Sequence, residues 1–187
     1  HDGKSNPELD KLDRNRLGET AQRVTTLALA WYFSGDEKYA QKATELIRVW
    51  FFNKDTRMNP NLEYAQMIPG HNNNKGRCYG VIDTYSFVEM DAVQLLEKSE
   101  AFTPKDAKQL KTWFGKLLTW ILNSPQGQEE ARQANNHSTA HDAQVIAFAM
   151  YAGNMKVARE VINAIPRKRL FTQIEPDGKQ PHELRRT

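Results

Sequence analysis

The stretch Asn135-Asn136-His137-Ser138-Thr139-Ala140-His141-Asp142 carries the densest set of side chains able to do polar chemistry in this 187-residue chain. Thr139, with Asp142 three residues on, makes a capping-box-like start, which predicts a helix over about 139–151 and sets Asn136 and His137 just before its N-terminus. Free N–H groups and the positive end of the macrodipole at such a place favour an anion. Two amides and an imidazole clustered there could neutralise a carboxylate and take part in proton transfer. A plainer reading stays open, an Asn capping a helix beside a hydrogen-bonded His. His137 and His141, four residues apart, could share a helical face toward a metal. However, Ser138 stands where the Glu of a two-His zinc helix would be and no third ligand is evident, so no metal is assigned.

A second polar concentration lies in the connection from Asn53 to Tyr79, which includes Tyr64, Gln66, His71-Asn72-Asn73-Asn74 and Arg77. Neutral hydrogen-bonding side chains with a tyrosine and an arginine are a mixture suited to sugars, through amide contacts and ring stacking. A plain ordered loop is the alternative. A further polar connection, Asn123 to Asn136, is also too long for a simple bundle turn.

The elements that must hold these loops read as helices. Leu17, Val24, Leu27, Ala28 and Trp31 keep the helical period up to Ser34-Gly35; Asp36 then caps a second run through Ala40, Ala43, Leu46, Ile47, Trp50 and Phe51. A single glycine turn makes these two antiparallel. Further helices are predicted from about Thr84 to Lys98, from Pro104 along the stripe Leu110, Trp113, Phe114, Leu117, Leu118 and Ile121, and from Met155 to Ile165 before Pro166. Only Arg169 to Ile174 hints at a strand. The segment 30–40 aligns with 148–158 through Gly35 and Gly153, so the same αα-hairpin is read as used twice in an array of hairpins, chance likeness between two helix turns being the alternative.

Composition narrows the class. With 39% hydrophobic and 26% charged residues the chain is a folded globular one, and its longest apolar run, Val145 to Ala152, is too short to span a membrane. The single cysteine, Cys78, excludes an intrachain disulfide. The net charge of +3 alone is too small to imply a polyanion partner, but Lys156 to Thr187 holds eight basic residues against four acidic, the whole basic excess.

Taken together, Asn135-Asn136-His137, the later Gln180-Pro181-His182-Glu183-Leu184-Arg185-Arg186-Thr187, the loop around Tyr64-Ala65-Gln66, and Gly76-Arg77 with Ile82-Asp83-Thr84 resemble the alginate-lyase-like polysaccharide lyases. The resemblance runs from about Asn15 to Thr187. It implies an all-α fold, an incomplete (α/α) toroid of antiparallel helical hairpins with long polar loops. It implies β-elimination on an acidic polysaccharide, alginate first and glucuronan next, without a cofactor, in a periplasmic or secreted enzyme. On this pattern Asn136 holds the uronate carboxylate, His137 binds it or acts as the base, and Arg186 adds fixed positive charge. Substrate contacts fall to Tyr64, Gln66, Arg77, Asn135, His141 and His182, while Asp83 is expected to anchor the next helix.

The resemblance also implies a tyrosine acid a few residues after Arg186. The chain stops at Thr187 and begins His-Asp-Gly without Met, so residues 1–187 are expected to be one domain fragment of a larger toroid, with that tyrosine beyond it; Tyr64 and Tyr79 are the internal alternatives. Ala140 and His141 stand where better-known relatives carry aromatic residues, which bears on the choice of sugar. The contrasting reading is a non-catalytic helical-repeat module that binds acidic polysaccharide through its basic tail.

Overall fold

The computed structural model describes residues 13–186, and for residues 84–90 the backbone alone. The terminal residues His1-Asp2-Gly3 and Thr187 lie outside this range. The first helix, α1, runs Asp13–Ser34 and buries Leu17, Ala21, Val24 and Ala28, with Leu27 and Trp31 packed at the edge of the core. Gly35 follows with φ +70°, a left-handed turn that a side chain would strain, and Asp36 accepts from the Lys38 N–H at 3.1 Å to start α2, Glu37–Ile47. The second hairpin repeats this device. Helix α6, Asn136–Tyr151, ends at Gly153 with φ +79°, and Asn154 caps α7, Met155–Ile165. Each hairpin packs its own two helices side by side.

Between the hairpins, α2 widens into a π-turn, Arg48–Phe52, that sends Phe51 into the core against Trp113, ring centroids 4.7 Å apart and edge-on. Helix α4, Pro104–Asn123, begins at Thr103, whose hydroxyl and the Asp106 carboxylate make a reciprocal capping box. The apolar stripe read from its sequence is buried throughout, and Phe114 carries it onto Phe148 of α6 at 5.0 Å. Burying each such side chain contributes about 1.5–3 kcal/mol.

Three expectations differ from what is observed. The segment expected as a helix over 84–98 winds as 3-10 turns over Cys78–Asp91 and becomes α-helical only in α3, Ala92–Leu96. The connection Asn123 to Asn136 is not a loop: it holds α5, Pro125–Ala131, which starts on Ser124 and Pro125. The hint of a strand at Arg169 to Ile174 is helical, a π-turn over Pro166–Leu170 running into α8, Phe171–Gln173. No strand is found among the described residues.

Candidate active site

Helix α6 begins three residues earlier than the sequence suggested. Its cap is Asn135, whose Oδ1 accepts from the His137 N–H at 3.2 Å; the Thr139 hydroxyl instead donates to Gln173 at 2.8 Å. The anticipated box fails because Asp142 is already engaged. Arg169 donates to it twice, at 2.7 and 3.0 Å, and also to the Ala131 carbonyl at 3.0 Å. Burial pushes the Asp142 carboxyl up, but the His141 ring and Arg169 outweigh it and hold the group below its usual range.

Asn136 and His137 therefore occupy the first turn of α6, and the chain's last segment comes back to them. Gln173 donates to the Asn135 carbonyl at 3.0 Å and to the Ser138 hydroxyl at 2.9 Å, pinning α8 across the start of α6. A turn closed between Glu175 and Lys179 at 2.8 Å leads into α9, Pro181–Leu184, and beyond it Arg186. Arg186 donates through Nη1 to the Asn136 Oδ1 at 2.8 Å, and its Nη2 stands 3.4 Å from the His137 Nε2. The amide, imidazole and guanidinium thus meet, although Arg186 lies 50 residues from Asn136.

Two carboxylates to which no role is assigned from sequence complete the cluster. Glu130, on α5 and fully buried, places Oε1 2.6 Å from the His137 Nδ1. Burial pushes this carboxyl above its ordinary value, against the pull of His137. Glu183 accepts from the Asn136 N–H at 2.5 Å and from Arg186 at 3.1 Å, and those bonds, the backbone one foremost, hold it below its ordinary value. The anion expected at the start of α6 is therefore one of the protein's own.

The loop side arrives through close backbone packing. A Cβ at Gly76 would overlap the Ala65 carbonyl oxygen, so only glycine lets 76–80 run against 63–65. This brings Arg77 to Gln66, 3.0 Å from guanidinium nitrogen to Oε1; Gln66 itself holds a positive φ of 52°, a strained conformation for its type. Arg77 then lies over the Tyr79 ring at 5.7 Å, and Tyr79 meets the His137 ring edge-on with centroids 5.0 Å apart. Gln66, Arg77, Tyr79, His137, Asn136 and Arg186 form one continuous polar face. Asp83 borders it, tied to Arg14 of α1 at 3.2 Å and so to the first helix where the sequence suggested the next one, with burial raising its carboxyl.

The other expected contacts sit differently. Tyr64 is 60% exposed on the turn before Gln66. Asn135 is spent on capping. His141 is buried, 5% exposed with its Nδ1 3.5 Å from the Asp142 Oδ1, and so presents no surface to a sugar. His182 is partly buried on α9, and its neighbour Glu183, not the imidazole, bonds Arg186. Among the described residues no three potential metal ligands cluster. Grooves of about 640 and 760 Å³ flank α4, and neither is lined by the cluster, which lies on an open face.

An all-α array of hairpins presenting such a face defines a class that comparison with known proteins makes specific. The alginate lyase family model matches residues 1–187, and the chain belongs to that family. Among solved structures it is similar to an alginate lyase from Bacteroides ovatus, at 57% identity and a TM-score of 0.94 over 98% of this chain and 49% of that one. The chain spans about half the length of that relative. No curated protein matches. The fold is an incomplete (α/α) toroid.

Proposed function

We propose that this chain serves a polysaccharide lyase that cleaves 4-linked uronic acid polymers by β-elimination, alginate foremost and glucuronan next, outside the cytoplasm, in the periplasm or after secretion. The reading assigns residues 1–187 to one toroid domain of a longer enzyme. Removing the C5 proton of a uronate builds negative charge beside an existing carboxylate, so neutralising that carboxylate is the central task. The observation that carries the reading is Arg186 bonded to Asn136 at 2.8 Å and facing His137 at 3.4 Å. Because Arg186 occupies the Asn136 Oδ1, the amide must offer its N–H₂ to an incoming carboxylate. The guanidinium, shared with Glu183, keeps further donors for the same group. Donors aimed where charge develops strengthen as it grows; losing one costs on the order of 3 kcal/mol, roughly a hundredfold in rate.

His137 Nε2 takes the C5 proton, and the departing oxygen receives one from a tyrosine hydroxyl. Gln66, Arg77 and Tyr79 extend the polar face along which neighbouring sugars lie, with Tyr64 at its outer edge; Asn135 and His182 support it from the backbone and from α9. The test is direct: incubate the full-length protein with alginate and, separately, glucuronan, and follow the ultraviolet absorbance of the unsaturated uronate. A rise on alginate supports the reading. No rise on any polyuronate from folded protein favours a non-catalytic binding module.

A further inference from the structure

Beyond the residues that meet substrate, we infer that Glu130 is a positioning residue that fixes His137 as the tautomer protonated at Nδ1, leaving Nε2 as an unprotonated acceptor on the open face. The inference rests on the proposed lyase reading only for its consequence in turnover. The tautomer itself follows from geometry.

The imidazole is held from both sides. At Nε2 it faces the Arg186 Nη2 at 3.4 Å, and a guanidinium has only N–H groups to offer, so Nε2 must accept. A neutral ring whose Nε2 accepts carries its proton on Nδ1, and Nδ1 lies 2.6 Å from the Glu130 Oε1. Glu130 is fully buried on α5, and its Oε1 has that ring nitrogen as its partner. A carboxylate on the far nitrogen of a histidine sets both the tautomer and the ring plane. The Tyr79 ring, edge-on at 5.0 Å, closes a third side. Removing the carboxylate frees the ring to protonate Nε2, which then points an N–H at the guanidinium and can no longer accept a proton from carbon.

Nitrogen-15 NMR of the histidine ring in the full-length protein, without substrate, tests this independently of activity. The wild type is expected to show Nδ1 protonated and Nε2 bare. In Glu130→Gln the amide can donate to Nδ1, and a population protonated at Nε2 is expected. With it goes a fall in kcat of at least about tenfold and little change in KM. A wild-type ring protonated at Nε2 overturns the inference, and that result needs no variant to fold. A folded Glu130→Gln that keeps wild-type kcat overturns it as well. If the wild-type tautomer is as stated but no polyuronate is turned over, the lyase reading fails while the hydrogen-bond assignment is supported.

Discussion

Arg169 grips Asp142 with two hydrogen bonds, 2.7 and 3.0 Å long, in a pair whose side chains are only 12% and 11% exposed. Through its third contact, to the Ala131 carbonyl, the same guanidinium joins the end of α5 and the middle of α6 to the segment that delivers Arg186. The polar face is thus buttressed by a nearly buried ion pair 27 residues apart in sequence.

Arg169→Ala leaves the buried Asp142 carboxylate with only the His141 ring, 3.5 Å away, and is expected to cost about 3–5 kcal/mol in chemical denaturation. Replacing both partners by apolar residues, Arg169→Met with Asp142→Leu, is expected to cost less than the single change. A double-variant loss equal to the sum of the losses in Arg169→Met and Asp142→Leu alone would show that the pair does not act as a unit.

Asp106 gives the fold a pH dependence with a defined sign. Arg48 donates to it at 3.0 and 2.7 Å, and this pairing foremost, with the Thr103 bonds, lowers its carboxyl from 3.8 to about 2. A group more acidic folded than unfolded contributes stability above its unfolded pKa, and that contribution disappears as pH falls from about 4 through about 2. It amounts to about 2 kcal/mol at neutral pH. Asp106→Asn should lower stability at neutral pH by that order and flatten the acid limb; an unchanged acid limb contradicts the assignment.

Tyr79 touches His137 with its ring, so the ring and the hydroxyl can be separated. Tyr79→Phe is expected to hold kcat within about threefold of wild type. Tyr79→Ala, which removes an edge-on contact worth about 0.5–1.5 kcal/mol, is expected to lower it about tenfold. Loss of all turnover in Tyr79→Phe would make this hydroxyl the acid of the reaction.

Much of the scaffold was legible because it is written in local chemistry. Asp36 after Gly35, and Thr103 before Pro104, are capping signals that depend on a few neighbouring atoms, and both open the helices they suggest. Helix α5 was not legible: Pro-Gln-Gly-Gln-Glu-Glu-Ala has no apolar stripe, and what it buries is Gly127 and Glu130. The start of α6 was misplaced because Thr139 and Asp142 imitate a box whose acidic member is claimed by Arg169. Asn136, His137 and Arg186 were visible through motifs, whereas Glu130 was not. Its bond to His137 spans a helix end and a turn, with no periodicity to announce it.

Glu130 also changes how the imidazole should be probed. His137→Ala strands a buried carboxylate and is expected to cost stability on the order of 1–3 kcal/mol as well as activity. Arg186 is exposed, and its removal leaves the core alone.

Turnover of alginate by Arg186→Ala, followed by the absorbance of the unsaturated product, therefore bears most directly on the claim that an amide, an imidazole and a guanidinium together quench the uronate charge. The account predicts a loss of kcat of roughly a hundredfold or more with stability within about 0.5 kcal/mol of wild type. Wild-type turnover in a folded Arg186→Ala would contradict it.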